Sequence, residues 1–322
     1  MGGRVQLDAV VLGAVACVFA VVSGANDGGA LLATGLKLPS VRPATGILAL
    51  TAALVLVPLA SQRVALTFVT RLGGFGGPGG RQAMTIAVFA ALVVVAVLSA
   101  SGRPTSLTLA VVGGLTGAGV GWGLPVSGGA VALVLAVALA APFIGALAAW
   151  VVARLLLGLT TRRRLRRWHL AGFALQCVAY AANDGQKMLS VFMIAMGVSR
   201  APLPVTSVAA VLFAAGTLYG LPRAGRALSR EIIVSRPLHG VAAELASGVT
   251  VVGCAVAGMP VSMTQAIAGA LIGAGMSQGG GRVRWPAALR IVVAWVLTLP
   301  AGVLLAGTVA LAVRLAEKGA GV

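Results

Sequence analysis

Gly24-Ala25-Asn26-Asp27-Gly28-Gly29 and Ala181-Ala182-Asn183-Asp184-Gly185-Gln186 are two versions of one polar interruption, set 157 residues apart in otherwise apolar sequence. Only six acidic residues occur among 322, and two of them take matching places in what reads as a duplicated membrane segment. An ionisable group inside a membrane span is costly, so a carboxylate that occurs twice at the same position points to function. A pair of helix caps near the membrane surface would account for the residue types but not for the duplicated carboxylate.

Composition sets the solvent. Hydrophobic residues make up 59% of the chain and charged residues 9%, with a mean hydropathy of +1.03. These values exclude an ordinary soluble domain and indicate an all-α polytopic membrane protein. The excess of 24 Lys and Arg over 6 acids would suit nucleic acid, but the basic residues lie in short breaks between apolar runs, a pattern that reports topology. The first apolar run continues through Ser23 into the Asn-Asp site and has a mid-chain counterpart, so it reads as a retained segment rather than a signal peptide. Cys17, Cys177 and Cys254 lie in apolar segments without Cys-x-x-Cys spacing and read as packing residues.

A second motif repeats at nearly the same distance. Gly102-Arg103-Pro104-Thr105-Ser106-Leu107-Thr108 matches Gly258-Met259-Pro260-Val261-Ser262-Met263-Thr264 at an offset of 156, with Gly113, Gly117 and Gly119 matching Gly269, Gly273 and Gly275. Two motifs sharing one offset indicate two homologous halves, 1–160 and 169–322, joined by a basic linker at 161–168. Apolar runs fall at 8–36, 44–61, 83–101, 104–121 and 124–158, then at 169–199, 203–221, 240–258, 260–277 and 286–314. Crossing the hydrocarbon takes about 20 residues, so the expectation is about 10–12 membrane segments, with the fourth run of each half short enough to be re-entrant and 124–158 long enough for two passes around Pro142. Five crossings per half would bring the second half in from the opposite face, the inverted-repeat plan of secondary transporters.

Charge gives a second line of argument. Alternation puts Lys37, Arg42, Arg103, the Arg162–Arg167 cluster, Arg223, Arg226, Arg230, Arg236, Arg282 and Arg284 on one side, and Arg4, Arg63, Arg71, Arg81, Arg200, Arg314 and Lys318 on the other. Fourteen against seven places the first group, and with it the central linker, in the cytoplasm of a multi-pass plasma-membrane protein with both termini outside.

The Asn-Asp-Gly sequence combines poor helix formers with side chains that bond locally to backbone, which predicts a broken helix at each site. Backbone freed in a membrane must be satisfied by protein, water or ligand. A new helical N-terminus offers N–H donors to an anion, while carbonyls and the Asp27 and Asp184 carboxylates, with Asn26 and Asn183, suit a coupling cation. Ser106, Thr108, Ser262 and Thr264 follow a Pro by two to four residues and would present hydroxyl donors to a tetrahedral oxyanion.

These residues carry a resemblance. Gly24-Ala25-Asn26-Asp27, Asn183-Asp184-Gly185-Gln186-Lys187 and Gly258-Met259-Pro260-Val261-Ser262-Met263-Thr264 with Gly269 are similar to the signatures of the inorganic phosphate transporter (Pit) family, across both halves. The resemblance implies phosphate as substrate, sodium or protons as coupling ion with no other cofactor, inverted repeats, and substrate and cation sites lined by the Asn-Asp pairs and the Ser and Thr hydroxyls. The chain departs from the family pattern where Leu107-Thr108-Leu109 and Met263-Thr264-Gln265 stand in place of Thr-Thr-His.

Other side chains admit two readings. Lys187 is an anion contact, a gating partner of an Asp, or a snorkelling cation; Gln186 supports the helix break or donates to substrate. Glu244 is a proton or gating group, with Lys187 as a candidate partner, or a structural acid. His169 and His239 lie at segment edges and read as interface residues, and the repeated glycines as close-packing positions. The leading function is phosphate import by cation symport through alternating access. Rivals are a sulfate or other oxyanion permease and a cation carrier. An enzyme is disfavoured, since no His-Glu-x-x-His occurs and Ser127 lacks a nucleophile-motif context. The expected partners are inorganic phosphate, membrane lipid and a second copy of the chain, not nucleic acid.

Overall fold

A computed structural model describes residues 2–29, 31–32, 40–75, 77, 79–100, 105–159, 161–231, 237–279 and 283–319. Lys37, Arg103, Arg236 and Arg282 of the charge argument, and Pro104 of the first Ser-x-Thr motif, lie outside them. Helices follow one another throughout: α1 Gly2–Ser23, α2 Pro43–Ala60, α3 Gly80–Ala100, α4 Leu107–Trp122, α5 Gly128–Leu159, α6 Arg162–Tyr180, α7 Gln186–Met196, α8 Leu203–Glu231, α9 Pro237–Val256, α10 Met263–Met276 and α11 Trp285–Gly319, with a short helical turn at Arg63–Leu66.

Seven helices among the described residues are long and apolar enough to cross a membrane, and the protein is an integral membrane protein. That is fewer than the 10–12 expected from apolar runs, for three reasons. α4 and α10, at 16 and 14 residues, are too short to cross. α6 opens with the basic cluster Arg162–Arg167, which dilutes its hydropathy. The long run at 124–158 forms one 32-residue helix that carries Pro142 internally. The basic segment after Thr161 is itself helical, with the Thr161 hydroxyl accepting from the Arg164 N–H as an N-cap.

The Asn-Asp sites do not break their helices. Gly24–Gly28 and Ala181–Gly185 are single π-helical turns running straight on from α1 and α6, and the second leads directly into α7. Asn, Asp and Gly weaken the α-helical ladder, and the chain answers by fitting an extra residue into one turn, which widens the ring without leaving right-handed helical geometry. The free helical N-termini belong instead to α4 and α10.

The halves interlock by exchange. α4 packs on α11 while α10 packs on α5; α1 and its π turn pack on α8 while α6 and its π turn pack on α2; α3 meets both α4 and α11 as α9 meets both α10 and α5. The repeated glycines make these contacts possible. A methyl at Gly113, Gly117 or Gly121 would collide with the Leu299, Val303 or Gly307 carbonyl of α11, and one at Gly269 or Gly273 with Pro142 or Ala146 of α5. Backbone against backbone is the small-residue packing the spacing suggested.

Arginines close several helix ends. Arg63 donates to Val256 O at the end of α9 at 2.7 Å, Arg200 to Leu59 O of α2, Arg81 to Ile194 O of α7 at 3.3 Å and Arg154 to Ser277 O beyond α10 at 3.0 Å. Carbonyls at a helix C-terminus lack intrahelical partners and carry partial negative charge, so a guanidinium satisfies both needs. Gly273→Val is expected to destabilise the protein by about 1–3 kcal/mol through overpacking, read as a lowered thermal midpoint in detergent. Gly253→Ala, with open space around its Cβ, is expected to leave that midpoint unchanged or slightly raised.

Candidate functional site

α4 and α10 begin at the centre of the site. Ser106 and Ser262 adopt extended backbone and cap them, accepting from Leu109 N at 3.2 Å and Gln265 N at 3.4 Å. Gly258, in the left-handed region at φ +74°, ends α9 and turns the chain through Pro260 into the second cap. The two tips touch: Thr108 Oγ1 donates to Val261 O at 2.9 Å, and Thr264 Oγ1 reaches Thr105 O at 3.5 Å and Ser262 Oγ at 2.9 Å. Thr105, Ser106, Thr108, Ser262 and Thr264 are all buried.

The second π turn delivers its polar side chains onto this junction. Asn183 grips the Val261 peptide from both sides, donating to its carbonyl at 2.7 Å and accepting from its N–H at 3.1 Å. Lys187, only 2% exposed, donates to Asp184 Oδ1 at 2.7 Å, Thr108 Oγ1 at 2.6 Å and Val261 O at 2.7 Å. It therefore does not snorkel; its ammonium is spent on a carboxylate, a hydroxyl and a carbonyl. In the first π turn, Asn26 Nδ2 donates to Asp27 Oδ1 at 2.9 Å, and the buried Asp27 lies within electrostatic range of Asp184 and Lys187. Among the described residues, Asp184 Oδ2, Thr105 Oγ1 and Tyr180 Oη are buried without a hydrogen-bond partner.

Two expected residues lie elsewhere. Gln186 accepts from Val64 N at 2.8 Å and Ala65 N at 3.3 Å and donates to Ser61 O at 2.9 Å, so its amide organises the turn after α2 instead of facing the helix tips. Glu244 stands 3.6 Å from His169 Nε2 rather than beside Lys187, because α9 presents it to α6. His169 and His239 are both buried within the protein, and His169 Nδ1 pairs with Ser40 Oγ.

A model of the phosphate transporter family matches residues 160–306, spanning the second π turn and the α10 tip. A Mycobacterium tuberculosis protein described as a probable low-affinity inorganic phosphate transporter is 36% identical over 218 residues, 62% of this chain and 52% of its own length. A Rhizobium meliloti protein of the same description is 30% identical over 227 residues, 63% of this chain and 66% of its own length. Residues 160–306 belong to the phosphate transporter family. A solved structure described as the sodium-dependent phosphate transporter shares the fold, with a TM-score of 0.81 and 15% identity over 96% of this chain and 99% of that one. The chain spans about half the length of the mycobacterial relatives it matches. The family is one of transporters, not enzymes.

Within these residues, the one that side-chain reasoning passed over is Val261. Its carbonyl and N–H join Asn183, Lys187 and Thr108, yet its side chain is apolar and carries no chemical signal. Position alone would have marked it: the residue before an N-cap in a buried segment has backbone groups that something must satisfy. Asn183→Ala should cost about 1–3 kcal/mol by leaving the buried Val261 N–H unpaired. Ser262→Ala should cost about 1 kcal/mol for the lost cap. Both are read by thermal unfolding of the purified protein.

Proposed function

We propose that this protein is a secondary active transporter that imports inorganic phosphate with a cation, through alternating access between two inverted halves, 1–160 and 169–322. The observation that carries the reading is the meeting of two buried helix N-termini from duplicated motifs, α4 and α10, beside a cluster of buried charges. Helix N-termini favour anions through free N–H groups and the helix dipole. Ser106 and Thr108 with Ser262 and Thr264 add hydroxyls, and Asn26 an amide, to a cradle for a tetrahedral oxyanion. Donors without formal charge bind such an ion and still release it.

Asp27 and Asp184 supply the coupling. The net negative charge that the two carboxylates keep beside the Lys187 ammonium opposes an approaching phosphate until a cation neutralises it, so cation and anion each raise the other's affinity by the same factor. The exchanged packing of the halves supports a rocking motion in which each short helix travels with the long helix of the other half. Positive charge in the first turns of α6 supports a cytoplasmic position for that end of the helix and both termini outside. The relatives described as inorganic phosphate transporters favour phosphate over sulfate, and the neighbour described as sodium-dependent favours sodium over protons.

Labelled phosphate uptake into liposomes holding the purified protein, under imposed sodium or proton gradients, tests this reading. Uptake driven by an inward sodium gradient, resistant to excess sulfate, and abolished in Asp27→Asn and Asp184→Asn is expected. Gradient-driven accumulation of sulfate without phosphate would overturn the substrate, and unaltered uptake in both variants would remove the carboxylates from coupling.

A further inference from the structure

Duplication makes each half a control for the other. In one half the buried Lys187 ammonium is held by the Asp184 carboxylate, the Thr108 hydroxyl and the Val261 carbonyl, all at 2.6–2.7 Å. A carboxylate, a hydroxyl and a carbonyl converging on one positive centre is the oxygen donor set that hard cations take in proteins. The repeat offsets of 157 and 156 turn these three groups into Asp27, Thr264 and the Thr105 carbonyl, and turn Lys187 into Ala30.

The second set of oxygens is assembled without a lysine. Thr264 Oγ1 faces Thr105 O at 3.5 Å, the counterpart of the 2.9 Å bond from Thr108 to Val261. Asn26 bonds to Asp27, whereas its counterpart Asn183 clamps the Val261 backbone. Thr105 Oγ1 adds a buried oxygen that has no partner among the described residues. One cage is drawn tight around an ammonium; in the other, Thr264 and Thr105 stand farther apart than their counterparts, and the repeat offset adds Asp27 to the set.

We propose that Lys187 is a tethered cation that permanently fills the cage at Asp184, and that Asp27, Thr264 and the Thr105 carbonyl form the one cage that takes a free cation of sodium's size. A metal cation suits this donor set better than a proton, because a proton on Asp27 would need only one acceptor, whereas a metal ion uses the hydroxyl and carbonyl as well. Two carboxylates and one ammonium leave the cluster with one negative charge in excess, which a single monovalent cation neutralises. The inference rests on the transporter reading only for the purpose of the ion; the binding itself does not depend on it. The carrier is then asymmetric, spending one free cation where two equivalent cages would spend two.

Equilibrium binding of labelled sodium to the purified full chain, in choline buffer without phosphate, tests this independently of transport. The expected result is one saturable sodium per chain in the wild type, none in Asp27→Asn and two in Lys187→Ala. Two sodium ions or none in the wild type, a single ion surviving in Asp27→Asn, or only one bound by folded Lys187→Ala would each overturn the proposal. Should Lys187→Ala not fold, the wild-type and Asp27→Asn counts still decide. Loss of phosphate uptake alongside the expected counts would speak against the transporter reading and leave the tethered cation standing.

Discussion

A buried ammonium holds the centre of this protein together. Charge taken out of water is tolerated only with close partners, and Lys187 has three, contributed by its own helix, by the tip of α4 and by the segment leading into α10. Asn183, four residues earlier, fixes the same peptide of that segment. The two short helices from opposite halves are thereby pinned to one π turn. The proposed anion cradle would inherit its geometry from that pin, since the caps at Ser106 and Ser262 sit immediately beside the bonded residues.

Around this centre the scaffold is built for close approach. α4 and α10 lie with glycine faces on the backbones of α11 and α5, which lets short helices penetrate the bundle without filling it with side chains. Each short helix leans on the long helix of the other half, so neither half forms a complete site alone. At the periphery, arginines add donors to helix-end carbonyls, and at the ends of α7 and α9 they act beside the left-handed glycines Gly197 and Gly258.

Much of this was legible in the sequence, because duplication reports itself and because a carboxylate in apolar sequence has few explanations. The Asn-Asp pairs, the Ser-x-Thr motifs and the small-residue stripes were all found where the structure uses them. Other features were hidden for physical reasons. Asn, Asp and Gly favour a break and a π turn alike, so the sequence could not tell an interrupted helix from a continuous one with a widened turn. Two of the three partners of Lys187 come from 79 and 74 residues away, and no local pattern encodes such contacts. Gln186 and Glu244 carried plausible chemistry, but which way a helix turns them depends on packing between helices distant in sequence.

The most direct test of the central claim is a double-mutant cycle on Lys187 and Asp184, measured as thermal stability in sodium-free buffer. Lys187→Met should cost about 3–5 kcal/mol, because it leaves the Asp184 carboxylate buried without its counter-ion. Adding Asp184→Asn should recover a large part of that loss. A Lys187→Met protein as stable as the wild type, or one whose loss the second substitution does not relieve, would contradict the view that this ion pair organises the site.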